Sequence, residues 1–266
     1  MRREPFCVIT ITFGPLGVAP LKREDSQLAR KMRSRVGDTA GDERGCHGGC
    51  ETDALEGIAL LKFGTGCHGC FEAGAEFNRP IVTVSGTPWV PGRSSTEADP
   101  LPTDGPVGGR GRSVNALLEL ASRGVRATAV RMPRTVHNEG QGGFAGLLAD
   151  TARRSGVAGY PGDGTQRWPA VHALDAAVLF RLALESASAG TAWHAVADEG
   201  DAVRDIATVV GRRLGLPVEA VPEETFGPLG PIFAMDQPAS STHTRNALGW
   251  QPTHPSLLED LENIQP

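Results

Sequence analysis

"YPGDGTQRWPAVHALDAAVLFRLALE" (Tyr160–Glu185) is the stretch whose reading decides the fold. It leaves a Gly-rich turn, runs through a short apolar segment ending at His172, and continues as a helix. Leu174, Ala177, Val178 and Leu182 recur at the spacing of one helical face, so these positions are expected to face the core. A strand that feeds straight into a helix is half of a βαβ unit. Its neighbours repeat the alternation. Upstream, "RPIVTVSGT" reads as a strand and 88–112 as a long Pro/Gly/Ser loop. "SVNALLELASRG" reads as a helix with Ser113 as N-cap and Gly124 just past its end. "VRATAVRMP" reads as a strand, and "GGFAGLLADTARRSG" as a helix closed by Gly156. Downstream come the strand "GTAWHAVADEG", the helix "AVRDIATVVGRRLGL" and a short final helix in "LLEDLENI". The expected class is α/β, with a parallel sheet.

The N-terminal third is less regular. "CVITITF" is β-branched and reads as a buried strand followed by a Gly-rich turn. Residues 36–50 read as loop, and "ETDALEGIALLKF" as a helix broken by "GTGCHGC". At 266 residues and 39% hydrophobic, the chain has enough apolar material for a buried core. A formal net charge of −5 gives no reason to expect nucleic acid or an anionic membrane as partner. No apolar run reaches spanning length, and "MRREPFCVITITFG" reads as a strand, not a signal peptide. A cytoplasmic protein with a small-molecule substrate is expected, its oligomeric state open. All five Cys fall in the first seventy residues, an odd count that argues against a disulfide framework.

Four constellations stand out. Cys46, Cys50, Cys67 and Cys70, with His47 and His68, have the residue types of a zinc knuckle. Their unequal spacings favour free thiols in a Gly-rich loop, and no metal is expected. The turn after the first strand places Thr10, Gly14 and Gly17 where a dinucleotide pyrophosphate would approach, but Ile11 stands where the first glycine belongs and Pro15 removes an N–H. Ser85 and Thr87 end a strand at the edge where α/β sheets place ligands. His172 and Asp175 flank a helix start, and read more readily as packing and helix-dipole residues than as chemistry.

Taken together, "IVTVSGT", "GVRATAVRMPRTVHNEGQGGF", "RWPAVHALDAAVLFRLALE", "HAVADEGDAVRDIATVVGRRLGLP" and "MDQPASSTHTRNALGWQPTHPSLLEDL" resemble the NAD-dependent epimerase/dehydratase family, the extended or atypical short-chain dehydrogenase/reductases. "VHALDAA" resembles the family's Val-His-x-x-Asp-x-Ala segment, and "ALGWQPT" its C-terminal signature. The likeness runs over residues 78–262, while 1–77 match only in fragments, with Cys50 where the adenine-facing Asp would lie. It implies a Rossmann-like doubly wound parallel sheet with a small C-terminal substrate-region subdomain. The whole chain, 1–266, would form one NAD(P)-binding domain.

The family's Ser/Thr–Tyr–Lys chemistry is only partly matched. Ser85 occupies the hydroxyl position, but Arg110 and Val114 stand where the Tyr and Lys belong, and the lone Tyr160 is far away in sequence. The resemblance implies NAD or NADP as cofactor, with weak binding expected. Ser85 and Arg110 are the expected catalytic residues, Thr10, Gly14 and Gly17 the cofactor contacts, and Thr87 and His137 the substrate contacts. The implied activity is an NAD(P)-dependent oxidoreductase or epimerase/dehydratase acting on a small polar substrate. The rival reading is a non-catalytic relative that binds a ligand or partner.

Overall fold

The computed structural model describes residues 6–10, 51–55, 58–62, 80–105 and 108–265, the first three segments as backbone alone. The main sheet contains β1 (Phe6–Thr10), β2 (Glu51–Leu55), β3 (Ile58–Lys62), β4 (Ile81–Gly86), β5 (Ala127–Met132) and β9 (Thr191–His194), in the order β2-β3-β1-β4-β5-β9. β3, β1, β4, β5 and β9 run parallel, and β2 pairs antiparallel with β3 at the edge. Chain order reverses at β1: β3 lies on one side of it and β4 on the other. That reversal defines a doubly wound sheet and opens a crevice at the carboxyl ends of β1 and β4.

Helices cover both faces. α1 (Gly108–Glu119) lays Val114 and Leu117 against Ile81, Ala127 and Ala129. α3 (Ala173–Ser186) lays Ala176, Leu179, Ala183 and Leu184 against Val82, Val130 and Trp193 on the other. Parallel strands covered on both sides are apolar along their length rather than alternating. This explains "IVTV", in which Ile81, Val82 and Thr83 are all buried.

Two smaller sheets lie outside the main one. β6 (Thr135–His137), β8 (Arg167–His172) and β10 (Asp198–Ala202) order as β10-β8-β6. β7 (Ala158–Pro161) pairs in parallel with β11 (Val218–Val221). A second core, which includes Trp168, Leu148, Ile206 and Leu261, fills the space beneath α2 (Gly143–Ser155), α4 (Val203–Leu214) and α7 (Leu257–Leu261). Phe144, Trp168 and Phe233 pack edge-on or tilted within it. α5 (Gly230–Phe233) and α6 (Thr242–Leu248) complete the described α-helices.

Local expectations fail in three places. Within "ETDALEGIALLKF", Glu51–Leu55 and Ile58–Lys62 are the antiparallel strands β2 and β3, not a helix. A short apolar run cannot separate the two by periodicity, and the place beside β1 is one only a strand can fill. α1 begins at Gly108, so Ser113 lies inside it, donating to Gly109 O at 3.0 Å rather than capping. Gly108 and Gly111 permit the early start, since a Cβ on Gly111 would lie 2.0 Å from Pro102 O. The face of α3 is also reversed. Leu174 is 54% exposed and Val178 also faces outward, while Asp175, Ala176, Leu179, Ala183 and Leu184 are buried. α3 is apolar nearly all round, so the stripe in its sequence did not say which side packs.

Candidate functional site

β4, β5 and β9 end in a row of polar side chains. Ser85 pairs in register with Arg131, and Arg131 with His194, so all three share one face of the sheet at its carboxyl edge. Ser85 is only 3% exposed, and its Oγ has no partner among the described residues. Arg131 is buried and donates through Nη1 to the carbonyls of Glu97 (3.2 Å) and Asp99 (2.8 Å). His194 Nδ1 lies 2.9 Å from Ser240 O. A carbonyl only accepts, so Nδ1 carries the hydrogen and Nε2 keeps a buried lone pair without a described partner. Burial, aided by Arg131, pushes the His194 pKa down to about 4, so the ring is neutral at pH 7.

This edge lies beneath a zipper of two segments. Trp89 Nε1 donates to Asp236 O, Gln237 Nε2 to Thr87 O, Ser95 N to Pro238 O and Ser240 N to Ser95 O. Glu97 takes hydrogen bonds from Thr244 N and Oγ1, and Thr244 Oγ1 in turn accepts from His194 N. Residues 87–99 are thereby stitched to 236–244 beside Ser85. The Thr87 hydroxyl is buried without a described partner, like that of Ser85.

The remaining expected site residues lie apart from this row. Arg110 is exposed on α1, and Val114, four residues on, is fully buried against Leu101 and Ala129. The position the family gives to Lys is therefore core. His137 sits on β6 in the other sheet, its Nδ1 2.9 Å from Asp260 Oδ2. Burial pushes the Asp260 carboxyl up, but His137 and Gly140 N–H bond to it, and the net shift is downward. His137 meets His172 edge-on, and His172 stacks on His254. His172 N-caps α3, accepting from Leu174 N at 3.2 Å. Asp175 accepts from Thr253 N, His254 N and His254 Nδ1, pinning the C-terminal segment to α3. His172 and Asp175 thus hold structure, as the sequence suggests. Thr10 ends β1. Gly14, Gly17, Ile11 and the Cys46–Cys70 cluster lie outside the described residues, and among those described no group of His, Cys, Asp and Glu is arranged to hold a metal.

A cavity of about 530 Å³ opens beside the β7–β8 turn, lined by Asp163, Thr165, Gln166, Arg167, Glu223 and Asp236 among others. Arg167 holds Asp236 through Nε (3.1 Å) and Nη2 (2.9 Å). Asp236 is next to Gln237, which reaches Thr87, so the cavity and the sheet edge are joined by one segment. Arg131, His194, Gln166 and Asp236 were not singled out from the sequence. The lone Arg in "ATAVRM" was the available signal, since a charge in a strand buried on both faces needs a reason.

No family model matches the chain. An uncharacterized protein of Schizosaccharomyces pombe is 42% identical over 220 residues, covering 80% of this chain and 70% of its own. An uncharacterized protein of Saccharomyces cerevisiae is 36% identical over 217 residues, covering 80% and 69%. Among solved structures, dTDP-glucose 4,6-dehydratase from Bacillus anthracis in complex with NAD superposes with a TM-score of 0.59 at 11% identity, covering 97% of this chain and 95% of its own. UDP-glucose 4-epimerase from Thermotoga maritima with UDP-glucose gives 0.53 at 20% identity, covering 73% and 64%. At such identities these two establish the fold alone.

Proposed function

We propose that this chain, which belongs to the family of the two yeast proteins, is an NAD(P)-binding enzyme of the epimerase/dehydratase type acting on a small polar substrate. The observation that carries the reading is the strand reversal at β1, the kind of switch point at which α/β sheets bind ligands, beside the hydroxyl-bearing end of β4. Its likeness to a fold seen with NAD bound supports the cofactor. Thr10 ends β1 at this crevice; Gly14 and Gly17 would complete the turn. When bound, NAD(P) supplies a hydride acceptor. The chain's own part falls to groups at the sheet edge. Ser85 would donate to a substrate oxygen as negative charge develops, worth about 3 kcal/mol for a preorganised donor. Thr87 would serve the substrate beside Ser85, whereas Arg110, on exposed α1, and His137, buried and bonded to Asp260, lie apart from that edge. Residues 1–266 would act as one domain.

A second reading, a ligand-binding relative without catalysis, is favoured by Val114 in the core and by the burial of Ser85. Calorimetry with NAD(H) and NADP(H) tests the first reading, and the absence of binding to both would refute it. Where a turning-over substrate is found, Ser85→Ala should lose most turnover while Tyr160→Phe keeps it. A folded, active Ser85→Ala protein would favour the second reading.

A further inference from the structure

We propose that Ser85 and Arg131 together form a two-donor site for a substrate oxygen carrying negative charge, with Arg131 supplying from β5 the cation that α1 lacks at Val114. This deepens the proposed function and rests on its assignment of Ser85. The two residues are register partners on β4 and β5. Adjacent strands lie about 4.8 Å apart, and register partners share a face, so the two side chains leave the sheet side by side. Ser85 Oγ and Arg131 Nε are both buried, and neither has a partner among the described residues. Arg131 as a whole is only 5% exposed. Each of the two atoms carries a hydrogen to give. An oxygen accepting from both would satisfy two donors that the protein leaves open, and leaving a buried donor open costs about 1–3 kcal/mol.

The face of the sheet shows what this pair replaces. Ile81, Ala127 and Ala129 pack on Leu117 and Val114 of α1, while Val82 and Val130 pack on α3. Ser85 follows Ile81, and Arg131 follows Ala127 and Ala129, in two-residue steps, so both lie on the α1 face beyond Val114. A cation at position 114 would enter on that face, and Arg131 is already on it. Its guanidinium is anchored through Nη1, which donates to Glu97 O (3.2 Å) and Asp99 O (2.8 Å), and the Nε hydrogen is left for a ligand. Its charge is not cancelled by a bonded carboxylate among the described residues. Glu97 and Asp99 act on it electrostatically, but Thr244 engages the first carboxylate and Arg93 the second. His194, next in register, is neutral. An arginine keeps its proton in proteins, so this site stabilises charge on the oxygen and passes no proton to it.

A thiolate can stand in for the charged oxygen without any ligand having to enter. In the full chain carrying Ser85→Cys and carbon-13 cysteine, NMR follows the ionisation of the new thiol through its Cβ resonance, and the natural chain identifies the five native cysteines. Burial alone would raise the thiol pKa above its usual value of about 8.5. Beside Arg131 the Ser85→Cys thiol should instead ionise below about 8.5. Thr83→Cys, as buried and on the same face but opposite Ala129 in register, should ionise above it. Adding Arg131→Met to Ser85→Cys should weaken the thiol as an acid at least about tenfold, one pKa unit. The proposal is overturned if the Ser85→Cys thiol ionises above about 8.5, if Thr83→Cys matches it, or if Arg131→Met leaves it unchanged. The first two comparisons leave Arg131 in place, so they decide the matter even where Arg131→Met does not fold. NAD(H) calorimetry on the natural chain separates the two levels. Dinucleotide binding beside an ordinary or raised thiol pKa refutes only the two-donor site, whereas a lowered pKa without dinucleotide binding keeps the site and refutes the enzyme reading.

Discussion

Replacing Asp201 by Asn should make the protein more stable above about pH 6. Asp201 lies on β10 opposite Trp168 of β8, and its Oδ2 is buried without a described partner. Burial disfavours its charge, Asp198 and Asp205 repel it, and the pKa rises from 3.8 to about 6. A shift of about two units corresponds to about 3 kcal/mol at 1.36 kcal/mol per unit. The side chain is only partly enclosed, and solvent screening reduces this to about 1–2 kcal/mol. The folded pKa lies above the unfolded one, so the fold favours the protonated form. Its contribution is fully present below pH 3.8 and is lost as pH rises through about 6. Asn keeps the shape and never ionises. The variant should therefore match the natural chain near pH 4 and exceed it by about 1–2 kcal/mol at pH 7–8. Asp198, also shifted upward by burial, repels Asp201, so removing the Asp201 charge eases Asp198 ionisation and adds to the gain at high pH. Urea denaturation at several pH values between 4 and 8 measures this directly. A variant that is less stable at pH 8, or a difference that does not change with pH, would refute the reasoning.

Ser85→Ala should leave stability unchanged or raise it by up to about 1 kcal/mol, because the hydroxyl it removes is buried and unpaired among the described residues. A loss above about 1 kcal/mol in urea would mean that the hydroxyl has a partner. Asp175→Ala should cost about 3 kcal/mol or more, since two backbone N–H groups and His254 lose their shared acceptor. Equilibrium denaturation showing less than about 1 kcal/mol would contradict that account. Gly111→Ala should lower the melting temperature by several degrees, because the new Cβ would collide with Pro102 O in the 101–103 segment. An unchanged melt would show that this segment yields.

The sequence by itself determined the alternation of strands and helices after Pro80. Gly124 and Gly156 are αL and end their helices where the sequence places them, whereas the helix read from Ser113 begins at Gly108 and the strand read in "GTAWHAVADEG" is two, β9 and β10. The carboxyl-edge position of Ser85 followed from the same pattern. What the tertiary structure decided is everything that depends on a neighbour. α3 is apolar on both sides, so only the sheet, and the need of Thr253 and His254 for the Asp175 carboxylate, fixed which side turned inward. "IALLK" became a strand because β1 offered an edge that pairs in register from Phe6 to Thr10. The row Ser85–Arg131–His194 joins residues far apart in the chain, aligned by strand register alone. The cavity beside the β7–β8 turn likewise joins the 161–167 turn to residues 223–236, and no periodicity along the chain encodes such a meeting.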